Sequence, residues 1–387
     1  MGADSGGGSQ RVLMTADTVG GVWQFAIELA RGLARNGDEV ALATLGATPS
    51  ADQLSEARSV PGLTLYPGGY RLAWMESPWE EVERAGRWLQ SVAEEVRPDV
   101  IHLNDYSHGE LQWNAPVVVT GHSCVLSWWQ AVHGVPAPAA DWTRYADSVR
   151  RGLHGADAVV APTAAMLDRL QHHYGPLRAT RVIANGRTPQ RPPAGARPAR
   201  EPLVLSAGRV WDAAKNISTL AAVAPRLPWP VCVAGEQRHP DGGHSLLDNV
   251  RLLGRLSSAE LAPWFSRASI YALPARYEPF GLSALEAAQA GCALVLGDID
   301  SLREVWGDAA TFVPPDDAHA LEDALQRLIA QPALRQRQAR MARARAERYS
   351  AHAMVNAYRR LYAELAHAQT AMSAPRRAAG ASLGAHA

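Results

Sequence analysis

Two carboxylates, Glu278 and Glu286, frame the stretch of the sequence richest in chemistry: Glu278-Pro279-Phe280-Gly281-Leu282-Ser283-Ala284-Leu285-Glu286. Leu282, Leu285 and Ala288 recur at helical spacing, so Phe280 to Ala290 reads as a helix opening at Gly281. A helix start offers unpaired N–H groups and the positive end of the dipole, and both attract anions. Glu278 then precedes the helix in a loop, and Glu286 lies more than a turn inside it. Two acids flanking such a site suit a ligand with a phosphate end and a hydroxyl-rich end. An ordinary buried helix with two solvated or paired acids fits the segment equally well.

A second segment favours the ligand. Leu203 to Ala207 reads as a short buried strand running into Gly208-Arg209-Val210-Trp211-Asp212-Ala213-Ala214-Lys215-Asn216, and a helical run follows from Ile217 to Ala224. An Arg and a Lys on either side of one strand-to-helix turn can converge on a polyanion. Arg offers a planar fork and Lys a compact charge, and both match phosphate oxygens.

The order Gly-Arg-x5-Lys-Asn followed by Glu-x-Phe-Gly-x4-Glu resembles the retaining glycosyltransferases of family 4, which have the GT-B fold. Further segments agree: Asp17-Thr18-Val19-Gly20-Gly21, Thr120-Gly121-His122-Ser123, Ile183-Ala184-Asn185-Gly186, Leu253-Gly254-Arg255-Leu256 and Leu302-Arg303-Glu304-Val305 all have family counterparts. The likeness spans residues 10 to 365.

The resemblance implies transfer of a sugar from a nucleoside diphosphate to an acceptor hydroxyl, with retention at the anomeric carbon. Arg209 and Lys215 would hold the diphosphate, helped by N–H groups near Gly281, Leu282 and Ser283. Glu286 would accept hydrogen bonds from the donor ribose. Glu278 would contact the transferred sugar, with Phe280 and Gly281 bringing backbone amides close, and His122 would reach the sugar or phosphate from the opposite wall. Gly20 and Gly21 would let the backbone approach the substrates. The catalytic candidates are thus Glu278 and His122. The implied partners are a nucleotide-sugar donor and a glycan, lipid-linked or small-molecule acceptor, with no cofactor and no required metal. If a charge-assisted contact is worth about 1.5–3 kcal/mol, losing Arg209 weakens donor use about ten- to more than a hundredfold.

Two segments depart from the family. Gly297-Asp298-Ile299-Asp300-Ser301 stands where Gly-Gly-x-Pro is common, and Asn185-Gly186-Arg187 replaces Asn-Gly-Val-Asp. They bear on the donor sugar and the loops near it. The alternative reading is a catalytically degenerate GT-B protein that binds nucleotide or glycan without turnover, and Arg209, Lys215, Glu278 and Glu286 argue against it. The Glu-x7-Glu segment argues against a GT-B epimerase or phosphorylase. A dinucleotide oxidoreductase fits worse, since Val19-Gly20-Gly21-Val22-Trp23 lacks the G-x-G-x-x-G order.

These residues need a scaffold, and 387 residues suffice for two or three domains. Lys+Arg and Asp+Glu are equal at 38 each, which argues against a nucleic-acid binder. Cys124, Cys232 and Cys292 are scattered and form no metal or disulfide pattern. The expectation is a cytoplasmic protein, with peripheral contact at the inner face of a membrane left open. Met1 to Gln10 lacks the apolar core of a signal peptide, and no apolar run approaches the roughly 20 residues of a membrane span.

Strand and helix signals alternate. Val12 to Ala16, Glu39 to Thr44, Val100 to Leu103 and Val117 to Thr120 read as strands, Val22 to Ala34 as a helix, and Ser77-Pro78-Trp79-Glu80 as a capping box. Prolines 189, 192, 193, 198 and 202 then break the rhythm, which restarts at Leu203 with strands at Val231, Ile270, Ala293 and Thr311 and a capping box at Ser257 to Glu260. The expectation is an α/β chain of two doubly wound parallel-sheet, Rossmann-like domains facing a cleft, the GT-B arrangement. Residues 1–10 read as a flexible N-terminus, 11–186 as the acceptor-side domain, 187–202 as the linker and 203–348 as the nucleotide-sugar domain. Residues 349–368 read as a helix returning to the first domain through Met354, Tyr358, Leu361, Tyr362 and Leu365, and 369–387 as a disordered tail. Eight of the twelve tryptophans fall in the first half, and Trp128 and Trp129, soon after His122, are the acceptor-binding candidates.

Overall fold

The computed structural model describes residues 9–190, 200–243 and 247–373. Most of the expected flexible N-terminus, linker residues 191–199 and the expected disordered tail from 374 onward lie outside the described residues. Short runs of apolar residues, buried on both faces, build two parallel sheets. The first lobe contains β1 (Arg11–Asp17), β2 (Glu39–Leu45), β3 (Leu63–Pro67), β4 (Val100–Leu103), β5 (Val117–Thr120), β6 (Ala158–Ala161) and β7 (Thr180–Val182), in the order β3-β2-β1-β4-β5-β6-β7. The second contains β8 (Glu201–Ala207), β9 (Val231–Ala234), β10 (Arg251–Gly254), β11 (Ala268–Leu273), β12 (Ala293–Gly297) and β13 (Thr311–Val313), in the order β10-β9-β8-β11-β12-β13.

Each sheet reverses direction of winding beside its first strand, where β1 lies between β2 and β4 and β8 between β9 and β11. Ligands of doubly wound sheets bind beyond the carboxyl ends of the strands at such a switch. In this chain the two switches deliver Asp17 to Gly21 and Asn104 to His108 from one lobe, and Gly208 to Lys215 and Arg276 to Gly281 from the other.

The last helix, Ala351–Ser373, returns to the first lobe and buries Met354, Val355, Tyr358, Leu361 and Tyr362. It lies so close to helix Gly21–Arg35 that a Cβ on Gly32 would fall 2.2 Å from Val355 Cγ2. Beneath it, His102 bonds Tyr362 Oη at 2.6 Å and Thr120 Oγ1 at 2.7 Å, so the buried polar groups are mutually satisfied.

Three local expectations are corrected. The Ser77 to Glu80 capping box does not form. Ser77 takes a left-handed φ of 45°, and Pro78 occupies the cap position without a side-chain bond, whereas a capping serine needs extended backbone. Glu81, not Glu80, does local work by accepting the Arg71 N–H at 2.8 Å. Ala318 to Arg348, whose Arg- and Ala-rich run reads as one helical stretch, is two helices, Ala318–Ala330 and Pro332–Ala346, divided where Pro332 lacks a donor. The final helix runs past residue 368 to Ser373. The Ser257–Glu260 box does form, with both reciprocal bonds. Among the described residues no helix is long and apolar enough to cross a membrane.

A candidate active site between the lobes

The two switch points face each other across a cleft of about 1420 Å³. On the first-lobe wall, β1 ends at Asp17, whose Oδ1 accepts the N–H groups of Val19 at 2.9 Å and Gly20 at 3.0 Å and so shapes the Gly20-Gly21 turn. Burial raises the Asp17 carboxyl above its usual range, against those two bonds and the nearby Arg209 charge. A Cβ on Gly20 would come 3.2 Å from Arg209 Nη1, so this turn meets the second lobe at one of its phosphate-binding candidates.

His122 follows β5. Its Nε2 lies 2.8 Å from Asn104 Oδ1, and Asn104 in turn donates its Nδ2–H to Thr15 O and its backbone N–H to Thr15 Oγ1 at 2.6 and 2.8 Å. Because Asn104 Oδ1 can only accept, Nε2 carries the proton and Nδ1 is the free lone pair. Burial lowers the His122 pKa to about 3, and its ring packs edge-on against Phe25 at 4.5 Å. A neutral imidazole of this tautomer can accept a hydroxyl hydrogen but brings no positive charge to a phosphate.

Asp105 and His108 form a pair that the sequence reading did not select. His108 Nδ1 lies 2.6 Å from Asp105 Oδ1, and Nε2 lies 3.1 Å from the Val82 carbonyl, so both ring nitrogens donate. Burial disfavours each charge, but the partner's opposite charge and the hydrogen bonds together outweigh it. The His108 pKa is raised and that of Asp105 lowered.

The second-lobe wall carries the cations. Arg209 Nη2 binds Asp212 Oδ2 at 2.7 Å and its guanidinium lies 5.0 Å over the Trp211 ring. Asp212 Oδ1 accepts the Trp128 indole N–H from the first lobe at 2.8 Å and the Ala214 N–H at 3.0 Å. Lys215 Nζ lies 2.7 Å from Glu278 Oε2. Glu278 Oε1 accepts the Gly281 N–H at 2.9 Å, so the amide of the cap residue before helix Leu282–Ala290 is taken by this carboxylate rather than left for a phosphate. Gly281 adopts φ +90°, a conformation L side chains rarely adopt, which turns the loop into the helix.

Glu286 lines the cleft from inside that helix, and Arg187 donates to its Oε1 from Nε at 2.7 Å. The aromatic candidates reach the same cleft. Trp128 shares its N–H with Asp212, while Trp129 packs on His133 with the rings tilted by 40° and their centroids 4.3 Å apart, and lies 6.4 Å from Trp142. Gly20, Gly21, His122, Trp128, Trp129, Arg209, Lys215, Glu278, Phe280, Gly281, Leu282 and Glu286 all line this one space. Phe280 does so through its backbone, since its ring is 2% exposed and packs on Tyr349. Asp298 is turned to Arg303 and Asp300 toward Arg169, so the unusual acids after β12 form ion pairs. Of the residues sequence reasoning missed, Asp212 carried a signal, its three-residue offset from Arg209 inside the turn. Asp105-x-x-His108 carried a similar one.

Residues 19–191 match the family model described as Glycosyltransferase Family 4, and residues 188–345 match that of Glycosyl transferases group 1. The chain is 30% identical to the glycogen synthase of Mycobacterium tuberculosis over 84% of its own length and 86% of the relative's. It is 28% identical to the D-inositol 3-phosphate glycosyltransferase of Xylanimonas cellulosilytica, over 88% and 91%. In structure it is similar to sucrose-phosphate synthase from Thermosynechococcus elongatus, with a TM-score of 0.76, 24% identity and coverage of 93% and 100%. That last likeness speaks for the fold.

Proposed function

The chain belongs to glycosyltransferase family 4 with a GT-B fold, and on that premise we propose that it moves a sugar from a nucleoside diphosphate to an acceptor hydroxyl with retention of configuration. The observation that carries this reading is the meeting of Arg209, Lys215, Glu278 and Glu286 on one rim, opposite His122 and the Gly20-Gly21 turn. The anomeric C–O bond breaks and its electron pair goes to the diphosphate. Arg209 and Lys215 sit where that negative charge grows. The acceptor oxygen bonds the anomeric carbon on the face the phosphate leaves, and its proton passes to a departing phosphate oxygen. Glu278, held by Lys215 and the Gly281 amide, lies beside the sugar and steadies its developing positive charge. His122 accepts a sugar hydroxyl through Nδ1. No bound metal takes part in this reading.

The acceptor we infer is an uncharged polyol such as a glycan. Among the described residues on the first-lobe wall, His108 is committed to Asp105 and to a backbone carbonyl, and Arg71 donates to the Glu76 carbonyl and lies 3.9 Å from Asp241, so the two cations there already have partners of their own. The Trp129 and Trp142 rings offer apolar faces for a sugar, and the exposed acids Glu76 and Asp141 accept hydroxyls. The name of the mycobacterial relative, glycogen synthase, agrees with such an acceptor better than that of an inositol phosphate enzyme.

A panel of UDP-, GDP- and ADP-sugars tests the reading. One donor raises the melting temperature by mass action, and with a neutral oligosaccharide and chelator present it gives a product whose anomeric signal by NMR matches the donor's. A donor that binds but is never turned over with any acceptor points instead to the non-catalytic binder.

A further inference from the structure

We infer that Arg187 is a positioning residue that fixes Glu286 as a single-oxygen acceptor for one donor ribose hydroxyl and ties that acceptor to the opposite lobe through Glu28. The inference rests on the reading of Glu286 as the ribose-binding acid.

Arg187 stands in the segment leaving the first lobe and is 2% exposed. A guanidinium so buried needs every partner it has, and its partners come from both lobes. Its Nη1 lies 3.2 Å from Glu28 Oε2 on the first-lobe helix Gly21–Arg35. Glu28 is equally buried, and its other oxygen accepts the Thr188 hydroxyl at 2.6 Å. On the second-lobe side, Nε and Nη2 lie 2.7 and 2.5 Å from the same atom, Glu286 Oε1. The main chain is held as well. The Arg187 N–H donates to Tyr349 O at 3.1 Å, and its carbonyl accepts Gln289 Nε2 at 3.0 Å from the helix that carries Glu286.

The way the fork is used is informative. An arginine that serves only to pair a carboxylate places its two parallel N–H groups on both oxygens. Here two N–H groups crowd one oxygen. They hold that oxygen in place and leave Oε2 as the oxygen for a ligand, on a side chain that keeps 17% exposure and lines the cleft. A ribose presents two neighbouring hydroxyls. One finds the free oxygen, while the other finds an oxygen already carrying two charged donors. Recognition of the ribose is therefore weighted toward one hydroxyl. Because the same guanidinium is anchored on Glu28, a nucleotide that binds Glu286 engages a link between the lobes.

Calorimetry of the full chain with UDP, GDP and ADP, each with its 2′-deoxy and 3′-deoxy form, tests this. The wild type is expected to bind one deoxy analogue of its preferred nucleotide about tenfold or more weakly and the other within about threefold. Arg187→Lys keeps the charge but cannot set two fixed donors on Oε1, and the difference between the analogues is expected to fall within about threefold. The double variant Arg187→Met with Glu28→Gln removes the cation without stranding a buried acid, and the same collapse is expected. Variants that lose melting temperature yet keep the wild-type discrimination would overturn the inference, as would a wild type that loses affinity equally for both analogues. A wild type that binds none of the nucleotides would sink the donor reading and this inference together. Nucleotide binding without ribose discrimination would sink this inference alone.

Discussion

The indole Nε1 of Trp128 donates to Oδ1 of Asp212 at 2.8 Å, across the cleft that separates the two lobes. Asp212 in turn orients Arg209 through its other oxygen at 2.7 Å. Its carboxyl is held below the usual range: burial pushes it up, and the charges of Arg209 and Lys215 with the hydrogen bonds from Trp128 and Arg209 more than offset that. A first-lobe tryptophan thus helps aim a second-lobe cation, a job the sequence did not suggest for it.

Trp128→Phe keeps an aromatic ring and removes only the donor. One hydrogen bond to a charged group is worth about 1.5–3 kcal/mol, and because this one reaches the nucleotide only through Asp212 and Arg209, about half of that or less passes to the ligand, so nucleotide affinity is expected to fall about three- to tenfold with a small change in melting temperature. Titration calorimetry reads the first and a thermal melt the second. Unchanged nucleotide affinity together with a raised acceptor KM would return Trp128 to a purely acceptor-side role.

Arg209, Lys215, Glu278 and Glu286 were legible in the sequence because their chemistry is local. Each pair sits within one strand-loop-helix passage, where spacing alone places it near a helix start. Buried central strands such as β4 and β5 were legible because parallel strands covered on both faces are continuous apolar runs. The edge strands β3, β7 and β10 were not. They are partly exposed, so neither a full apolar run nor a clean alternation marks them. The Arg187–Glu286 contact joins residues 99 apart. From sequence Arg187 was visible only as a departure from the family pattern, because its meaning depends on how two lobes and a linker come together. Ser77 shows the converse failure, a correct local signature overridden by a left-handed turn.

Acid should destabilise the fold through His102. It is fully buried, and burial, with a smaller contribution from His122, lowers its pKa to about 3. The folded state therefore needs the neutral ring. Its contribution is complete above the unfolded value near 6.5 and is lost as pH falls toward the folded value, which amounts to about 2 kcal/mol by pH 5. His108 has the opposite sign. Asp105 keeps it protonated, so its stabilisation is complete below about 6.5 and fades as pH rises through its elevated folded pKa. Urea unfolding of the wild type and of His102→Gln at pH 7 and pH 5 separates the terms. The variant is expected to lose less stability over that interval, and equal losses would contradict the assignment.

The docking of the last helix makes a sharper demand on one residue. A methyl group on Gly32 would lie 2.2 Å from Val355 Cγ2 and 3.2 Å from its Cβ and Cγ1, a distance at which something must move. Both sides are constrained, since Val355 is 2% exposed and its neighbours Tyr358 and Tyr362 are tied to Thr120 and His102. Gly32→Ala gains helix propensity worth about 1 kcal/mol, but overpacking costs about 1–3 kcal/mol, so the net change is expected to be destabilising. Val355→Ala alone opens a small cavity and also destabilises. Together they refill the space, so the double variant should be more stable than the sum of the single changes predicts. A double-mutant cycle by urea unfolding measures that coupling, expected at about 1 kcal/mol or more. Additivity would mean that the helix shifts to admit the methyl group, and that its seat on the first lobe is set by the His102–Tyr362 and Thr120–Tyr358 bonds instead.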